Sequence, residues 1–354
     1  MGAPPAPGRS GWPRHVGPPG LERREADLKA IVYRQYGPPD VVGVEEVETP
    51  TPGDGEILIQ VHAASVSSSD ITFRRGRPMV ARSATGFVKP KKPILGSELA
   101  GQVEAVGPGV TRFKPGDRVA AASAADFGAH AEYICLPQDG ALVPLPDDLA
   151  YRDAVGIFEG ALTALPFLRD KGRIGSDQRV LINGASGSVG SAAVQLAKHF
   201  GAEVTAVTSG ANIELVRSLG ADHAIDYTQE DFTRTGQTYD IIFDTVGKSS
   251  YGRARDALAP GGVYLSTVLT MGIVLLSLVT RFGSKQARFT ATGMRSPQQK
   301  SEDMLLIRDL IEAGALKPVI DRAYPLEQAR EAHAYVEAGH KKGNVVLQIR
   351  APAM

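Results

Sequence analysis

Gly184, Gly187 and Gly190 recur at three-residue spacing within RVLINGASGSVG, residues 179–190. Residues 179–183 are a short aliphatic run of the kind that forms a buried strand. Residues 191–198, SAAVQLAK, have helix-forming composition. Strand, glycine turn and helix in direct succession form the opening of a dinucleotide-binding βαβ unit. Glycine lets the backbone turn tightly and approach a pyrophosphate, and the free N–H groups of the helix start bind the phosphate oxygens. An ordinary strand-to-helix turn would also tolerate glycines, but here both flanks fit the nucleotide reading.

The elements that must position this turn read as an alternating series. Strand 203–207, helix 211–219, strand 240–244, helix 250–258 and strand 262–267 follow it, which calls for a parallel sheet covered on both faces. Before it, strand-like runs from residue 29 are cut by turns such as Gly107-Pro-Gly and Pro115-Gly-Asp, a pattern expected of a small, bent β-barrel. Helical periodicity covers 151–169, and the tail reads as helices 301–314 and 325–332 and a last strand 344–349.

Length and composition bound the rest. At 354 residues two domains are expected. Lysines and arginines number 39 against 39 acids, so the overall balance carries no footprint for nucleic acid or an anionic membrane. The single cysteine, Cys135, excludes an intramolecular disulfide framework and a multi-cysteine zinc knot; it is compatible with a reducing cytosol, and a cytoplasmic location is expected. Eleven of the first twenty residues are Gly or Pro, so 1–27 is expected to be a disordered extension, and it holds no apolar segment for secretion. The apolar stretch 268–279 falls short of the ~20 residues a membrane span needs. It is expected to be a buried strand end, a pocket wall or a subunit contact.

Taken together, several motifs resemble one family. They are Tyr36-Gly-Pro-Pro-Asp-Val-Val, Val103-Glu-Ala-Val-Gly-Pro-Gly-Val, Arg112-Phe-Lys-Pro-Gly-Asp-Arg-Val, Gly128-Ala-His-Ala-Glu-Tyr, the stretch 184–198, Leu219-Gly-Ala-Asp-His-Ala-Ile-Asp-Tyr and Asp244-Thr-Val-Gly. In this order they resemble the medium-chain dehydrogenase/reductases of the zinc-independent quinone oxidoreductase type. The resemblance implies an α/β fold: a GroES-like bent β-barrel catalytic domain from 28–152 and 296–354, and a doubly wound, parallel-sheet Rossmann domain from 153–295.

Zinc-dependent members of that family use a Cys and a His in the first domain. The matching positions here are Ser67 and Ser97, and a catalytic zinc needs three Cys, His or carboxylate ligands. His62 is the histidine nearest these motifs and has no Cys or second His at useful spacing, so a metal-free enzyme is expected.

A site that prefers NAD usually carries an acid ~20 residues beyond the glycines, at the ribose 2′-hydroxyl. Between Glu203 and Glu214 there is no acid, and Thr208 and Ser209 offer hydroxyls that tolerate a 2′-phosphate. NADPH is therefore expected, with NADH the lesser alternative. By resemblance, Tyr227 reaches toward that phosphate, and Asn212 stands where several relatives have Lys. The turn itself would use Gly184, Ser186, Gly187, Ser188, Val189 and Gly190. For the nicotinamide end the resemblance implies Ser67, Thr163, Val246, Gly247, Ser266, Thr267 and Asn344, while Asp70 is expected to hold its own loop.

Without a Lewis acid, hydride transfer to a conjugated acceptor is the easier chemistry, because quinones and enones spread the incoming charge onto an oxygen that a hydroxyl or water can protonate. Thr72 lies where some relatives carry a Tyr donor; it is a poor acid. Ser67 is expected to orient the substrate carbonyl. Phe73 and Phe158 are candidate pocket walls or ordinary core. The leading expectation is an NADPH-dependent quinone or enone reductase, against two alternatives. One is an alcohol dehydrogenase-like enzyme acting on another carbonyl. The other is a weakly catalytic NADPH sensor or interaction protein. A small-molecule substrate, no nucleic acid, no membrane and a homodimer paired through 262–268 complete the expectations.

Overall fold

The computed structural model describes residues 28–123, 126–268 and 270–350, and the extension expected over 1–27 lies outside them. The chain starts with the antiparallel pair β1 (Leu28–Tyr33) and β2 (Val42–Val47). Then come β3 (Glu56–Ser65), α1 (Ser68–Arg75), α2 (Arg82–Thr85), β4 (Glu98–Val106), β5 (Arg118–Ala122), β6 (Tyr133–Pro137) and β7 (Leu142–Pro144). Strands β3 to β7 belong to one sheet in which β3 pairs antiparallel with β4 and β6. Its inward residues, including Ile57, Ile59, Val61, Leu99 and Val119, are fully buried in a core of their own.

Helix α3 (Tyr151–Pro166) leads out of this sheet. Pro166 has no N–H for the carbonyl one turn back, and the chain widens there into a π-type turn over Phe167–Gly172. Then β8 (Arg179–Asn183), α4 (Ser188–His199), β9 (Glu203–Thr208), α5 (Ile213–Ser218), β10 (His223–Asp226), β11 (Tyr239–Asp244), α6 (Tyr251–Ala254), β12 (Leu258–Ser266), α7 (Met271–Val279) and β13 (Gln286–Arg288) follow. The six strands are all parallel, in the order β10-β9-β8-β11-β12-β13. The strand order reverses between β8 and β11, so a crevice opens beyond their carboxyl ends, the place where doubly wound sheets bind ligands. Val180, Ile182, Ile241 and Phe243 are buried in one core and Leu181, Val207 and Ile242, which alternate with them or with their strand neighbours, in another, so both faces of the sheet are covered.

Helix α8 (Pro297–Glu312), β14 (Ile320–Pro325), α9 (Ala329–Glu337) and β15 (Asn344–Gln348) complete the chain. Strand β15 pairs antiparallel with β3, with Val346 opposite Ser65, so the tail closes the first sheet.

Three expectations change. Residues 262–268 cannot pair edge to edge with a second copy, because β12 already lies between β11 and β13; the free edge is β13. The apolar stretch 268–279 is neither strand end nor buried wall. Thr270 caps α7, whose Ile273 turns inward while Met271 (84 % exposed), Leu275 and Leu278 face solvent. The helix expected over 250–258 stops early because Leu258 is already paired with Tyr239 in the sheet. Of the two readings open for Phe158, the structure shows ordinary core, at 2 % exposure.

Around Asp303, almost wholly buried on α8, an ion-pair network ties that helix to the turn after α3. Asp303 meets Arg169 at 2.8 Å and Arg295 at 2.9 Å, and Arg295 reaches Asp170 at 2.9 Å. Removing one partner of a buried pair leaves the other charge uncompensated, which costs about 3–5 kcal/mol. Asp303→Ala is therefore expected to shift the urea unfolding midpoint clearly downward; an unchanged midpoint would contradict this account of how α8 is anchored.

Candidate functional site

The glycine turn sits at the crevice for steric reasons. Gly184 has φ +82°, and a Cβ there would lie 2.5 Å from Val246 Cγ1. A Cβ on Gly190 would lie 2.1 Å from the Gly184 carbonyl oxygen, and one on Gly160 of α3 would lie 2.3 Å from that of Ser188. Gly187, by contrast, meets nothing closer than 3.5 Å, which leaves its outer face open. It is the cap residue of α4 and has no side chain to cap it, and it bridges Gly343 of the tail; the N–H groups of Val189 and Gly190 are first-turn donors that suit an anion.

Beyond the turn the structure brings four predicted residues together. Ser186 Oγ accepts from Thr208 Oγ1 at 2.8 Å and from Asn212 Nδ2 at 3.2 Å, and Asn212 Nδ2 also donates to Ser209 Oγ at 3.2 Å. Asn212 Oδ1 is buried without a partner, an orphan acceptor of the kind a bound molecule satisfies. Tyr227 lies beside them through its N–H bond to the Thr208 carbonyl, its own side chain exposed. Asp226, adjacent in the neighbouring strand, is a carboxylate that linear reading along β9 overlooks. Its Oδ1 takes the Thr228 N–H and hydroxyl, and Oδ2 lies against Gly210; these backbone and hydroxyl donors hold its pKa below the usual carboxylate value.

On the other side of the crevice, Asp244 at the end of β11 is fully buried and gathers five donors. They are Asn183 Nδ2 (3.0 Å), the N–H groups of Val246 (3.2 Å), Gly247 (3.0 Å) and Ser249 (3.0 Å), and the Tyr264 hydroxyl (2.9 Å). Thr267 donates its N–H to the Asp244 carbonyl and its hydroxyl to the Thr245 carbonyl, and Ser266 Oγ takes the Val268 N–H. Val246, Gly247, Ser266 and Thr267 thus form one wall.

The remaining predicted residues stand at the junction of the two sheets. Ser67 caps α1 in a reciprocal capping box: its Oγ bonds Asp70 Oδ2 at 2.8 Å, and its N–H does so at 2.8 Å. Asp70 also accepts the Gly96 N–H at 3.0 Å, so it holds its loop as expected. Thr72 spends its proton on the Ser68 carbonyl at 3.0 Å. Asn344 is saturated by protein: Oδ1 accepts from Ser188 at 2.5 Å, and Nδ2 donates to the Gly156 and Val319 carbonyls at 2.6 and 3.2 Å. As placed, Asn344 is a latch between α3, α4 and the tail. Thr163 lies on α3, one turn from Glu159.

Two glutamates complete the junction. Glu98 opens β4 directly after Ser97, the serine at the family's histidine position, and accepts from Ser65 Oγ at 2.8 Å. It keeps some accessible surface but is enclosed by protein, and burial, with the nearby carboxylates of Glu159 and Asp70, pushes its pKa up to about 8. Burial likewise raises Glu159, whose Oε2 has no hydrogen-bond partner, and lowers Lys341 beside it. The signal for Glu159 was present in the chain as the sole acid in an apolar stretch, Ala154-Val-Gly-Ile-Phe-Glu-Gly-Ala-Leu. No group of three or more His, Cys, Asp or Glu side chains able to hold a metal ion occurs among the described residues. His62 instead stacks on Tyr151 at 4.3 Å.

Known proteins match this arrangement. Residues 53–147 match the alcohol dehydrogenase GroES-like domain and residues 219–347 the zinc-binding dehydrogenase family. A quinone oxidoreductase of Pseudomonas aeruginosa is 31 % identical, over 90 % of this chain and 99 % of that one. A chloroplastic NADPH-dependent alkenal/one oxidoreductase of Arabidopsis thaliana is 32 % identical, over 91 % of this chain and 79 % of that one. The structure of a quinone oxidoreductase from Coxiella burnetii superimposes with TM-score 0.82 at 29 % identity, covering 92 % of this chain and all of that one.

The glycine geometry yields a direct test. Gly190→Val would place side-chain atoms against the Gly184 backbone and is expected to weaken dinucleotide binding at least about tenfold, a loss of ~1.4 kcal/mol, in a titration calorimeter. An unchanged Kd with a folded variant would contradict the assignment of this turn.

Proposed function

The chain belongs to the medium-chain dehydrogenase/reductases of the zinc-independent quinone oxidoreductase type, and on that premise we propose that it reduces quinones or α,β-unsaturated carbonyls with NADPH. The observation that carries the reading is the pairing of an open phosphate-binding turn with enclosed carboxyls at the same junction. A bound reduced nicotinamide supplies the hydride. The catalytic unit is read as 28–152 with 296–354, around a dinucleotide unit over 153–295.

In this reading the N–H groups of Val189 and Gly190 hold the diphosphate, and Ser186, Thr208, Ser209, Asn212 and Tyr227 hold the adenosine end. Thr163, Val246, Gly247, Ser266 and Thr267 frame the nicotinamide end, with Ser67 and Asn344 fixing the loops behind it. Preference for the 2′-phosphate is supported by the hydroxyl and amide groups at 208–212. A lower KM for NADH than for NADPH would contradict it.

Hydride arriving at the β-carbon of an enone drives negative charge onto the carbonyl oxygen, which then needs a proton. Thr72 and Ser67 have committed theirs. Glu98, whose pKa is pushed up to about 8, holds a proton at neutral pH and is assigned here as the donor. The sign follows: the donor form is present below about 8 and is lost as pH rises through that value. Turnover is expected to fall above about 8, and Glu98→Gln to lower it roughly a hundredfold and flatten that limb. An unchanged pH profile in the variant would remove Glu98 from the mechanism.

The commitment of Ser67 and Thr72 also favours a second reading, a weakly catalytic NADPH-binding protein. NADPH consumption against quinones, enones and aldehydes, with and without a chelator, separates the two. Turnover of conjugated acceptors that a chelator leaves intact is expected; tight NADPH binding with no turnover across the panel would select the second reading, and stoichiometric zinc would overturn the metal-free one. We read the protein as a cytoplasmic homodimer, supported by the free edge of β13 and the exposed apolar face of α7 beside it. A monomeric mass in solution would contradict that assembly.

A further inference from the structure

Between Asp70 and Glu98 the chain carries four arginines, three lysines and no acid, in a protein whose formal charge is otherwise balanced. Overall neutrality therefore hides a strongly basic excursion. Its two ends are pinned together at the junction, where Asp70 accepts the Gly96 N–H. Its stem is packed and its charges there are spent. Arg74 is buried against Glu337, Arg75 pairs with the same carboxylate, Lys92 pairs with Asp126, and Phe73 packs edge to face on Phe127 at 4.9 Å. Arg82 lies over the Tyr36 ring at 4.5 Å and donates to the Gly76 and Phe87 carbonyls, which braces the outer turn from behind.

The outer turn is different in kind. Met79, Val80, Phe87 and Val88 are 64, 73, 68 and 89 % exposed. Arg77, Lys89 and Lys91 are exposed between them, and none has an ion-pair partner among the described residues. Large apolar side chains held out in water by a braced backbone are unfavourable for a free surface. An apolar tip framed by unpaired cations is complementary to an anionic bilayer, where the apolar groups enter the acyl boundary and the cations lie at the headgroups. With a single aromatic ring, the turn has no stacking platform for nucleic-acid bases. The apolar face of α7 is a separate surface, on the parallel-sheet side of the molecule, and its neighbour is the free edge of β13.

We propose that the turn carrying Met79, Val80, Phe87 and Val88, framed by Arg77, Lys89 and Lys91, docks the protein peripherally on an anionic lipid bilayer. Docking there seats the junction that Asp70 and Gly96 close next to the membrane surface. That position suits acceptors dissolved in the bilayer, a consequence that rests on the proposed reaction; the docking itself does not.

Vesicle co-sedimentation of the full chain tests this without reference to turnover. Binding to phosphatidylcholine vesicles containing phosphatidylserine is expected to exceed binding to phosphatidylcholine alone at least about tenfold and to weaken as salt is raised. The double variants Val80→Asp with Phe87→Asp and Lys89→Glu with Lys91→Glu are each expected to lose it, while NADPH oxidation with a water-soluble acceptor is retained. Absence of binding to either vesicle would overturn the proposal. So would undiminished binding of both variants, or capture of the wild type by an acidic polypeptide in place of vesicles, which would make the turn a protein-docking site.

Discussion

The buried carboxylate of Asp244 is the constraint on which the crevice depends. Taking a carboxylate out of water costs several kcal/mol, and hydrogen bonds to a charged group return about 1.5–3 kcal/mol each. One or two donors would not offset the burial. Asp244 has five, drawn from the end of β8, the turn after β11 and the middle of β12. The three strand ends are therefore held in one arrangement, and the glycine turn at 184 packs directly on Val246 in it. The open donors of α4 face a fixed wall because that carboxylate has none of its acceptor capacity left over.

Across the junction Asp70 does the same work for the antiparallel sheet, drawing in the Ser67 N–H and hydroxyl and the Gly96 N–H. Glu98 and Glu159 stand between these two anchors and differ from them in supply of donors, not in chemistry. Glu98 has one hydroxyl, and Glu159 Oε2 has nothing. An enclosed carboxyl without donors keeps its proton. The same side-chain group thus serves as scaffold where backbone N–H groups converge on it and as a proton store where they do not.

How much of this was legible in the chain follows from what each element is made of. Strands β8, β9, β11 and β12 each carry a short, largely apolar stretch, because both sheet faces are covered, and are readable by it. Strands β10 (His223–Asp226) and β13 (Gln286–Arg288) are short and polar, lie at the sheet edges, and exist only through pairing with a neighbour, so periodicity misses them. The glycine turn is readable because its glycine spacing follows a short aliphatic run and precedes a helix, although only Gly190 answers a close local backbone contact. Asp226 is not, since it reaches Gly210 from the adjacent strand. In the sequence Glu98 is only the residue after Ser97, the serine at the family's histidine position; its role emerges once Glu159 and Asp70 are brought near it. Hydroxyls at Ser67 and Thr72 read as free chemistry in the sequence and turn out to be committed to α1. The apolar composition of α7 said burial, and tertiary packing left most of it outside.

Isotope transfer tests the central claim most directly. Turnover of an enone with NADPH carrying deuterium at both C4 positions, followed by mass spectrometry of the product, reports where the hydride goes and where the proton comes from. The account predicts one deuterium at the β-carbon and a solvent-derived proton at the α-carbon. A product lacking the deuterium, or no product from any conjugated acceptor, would contradict it.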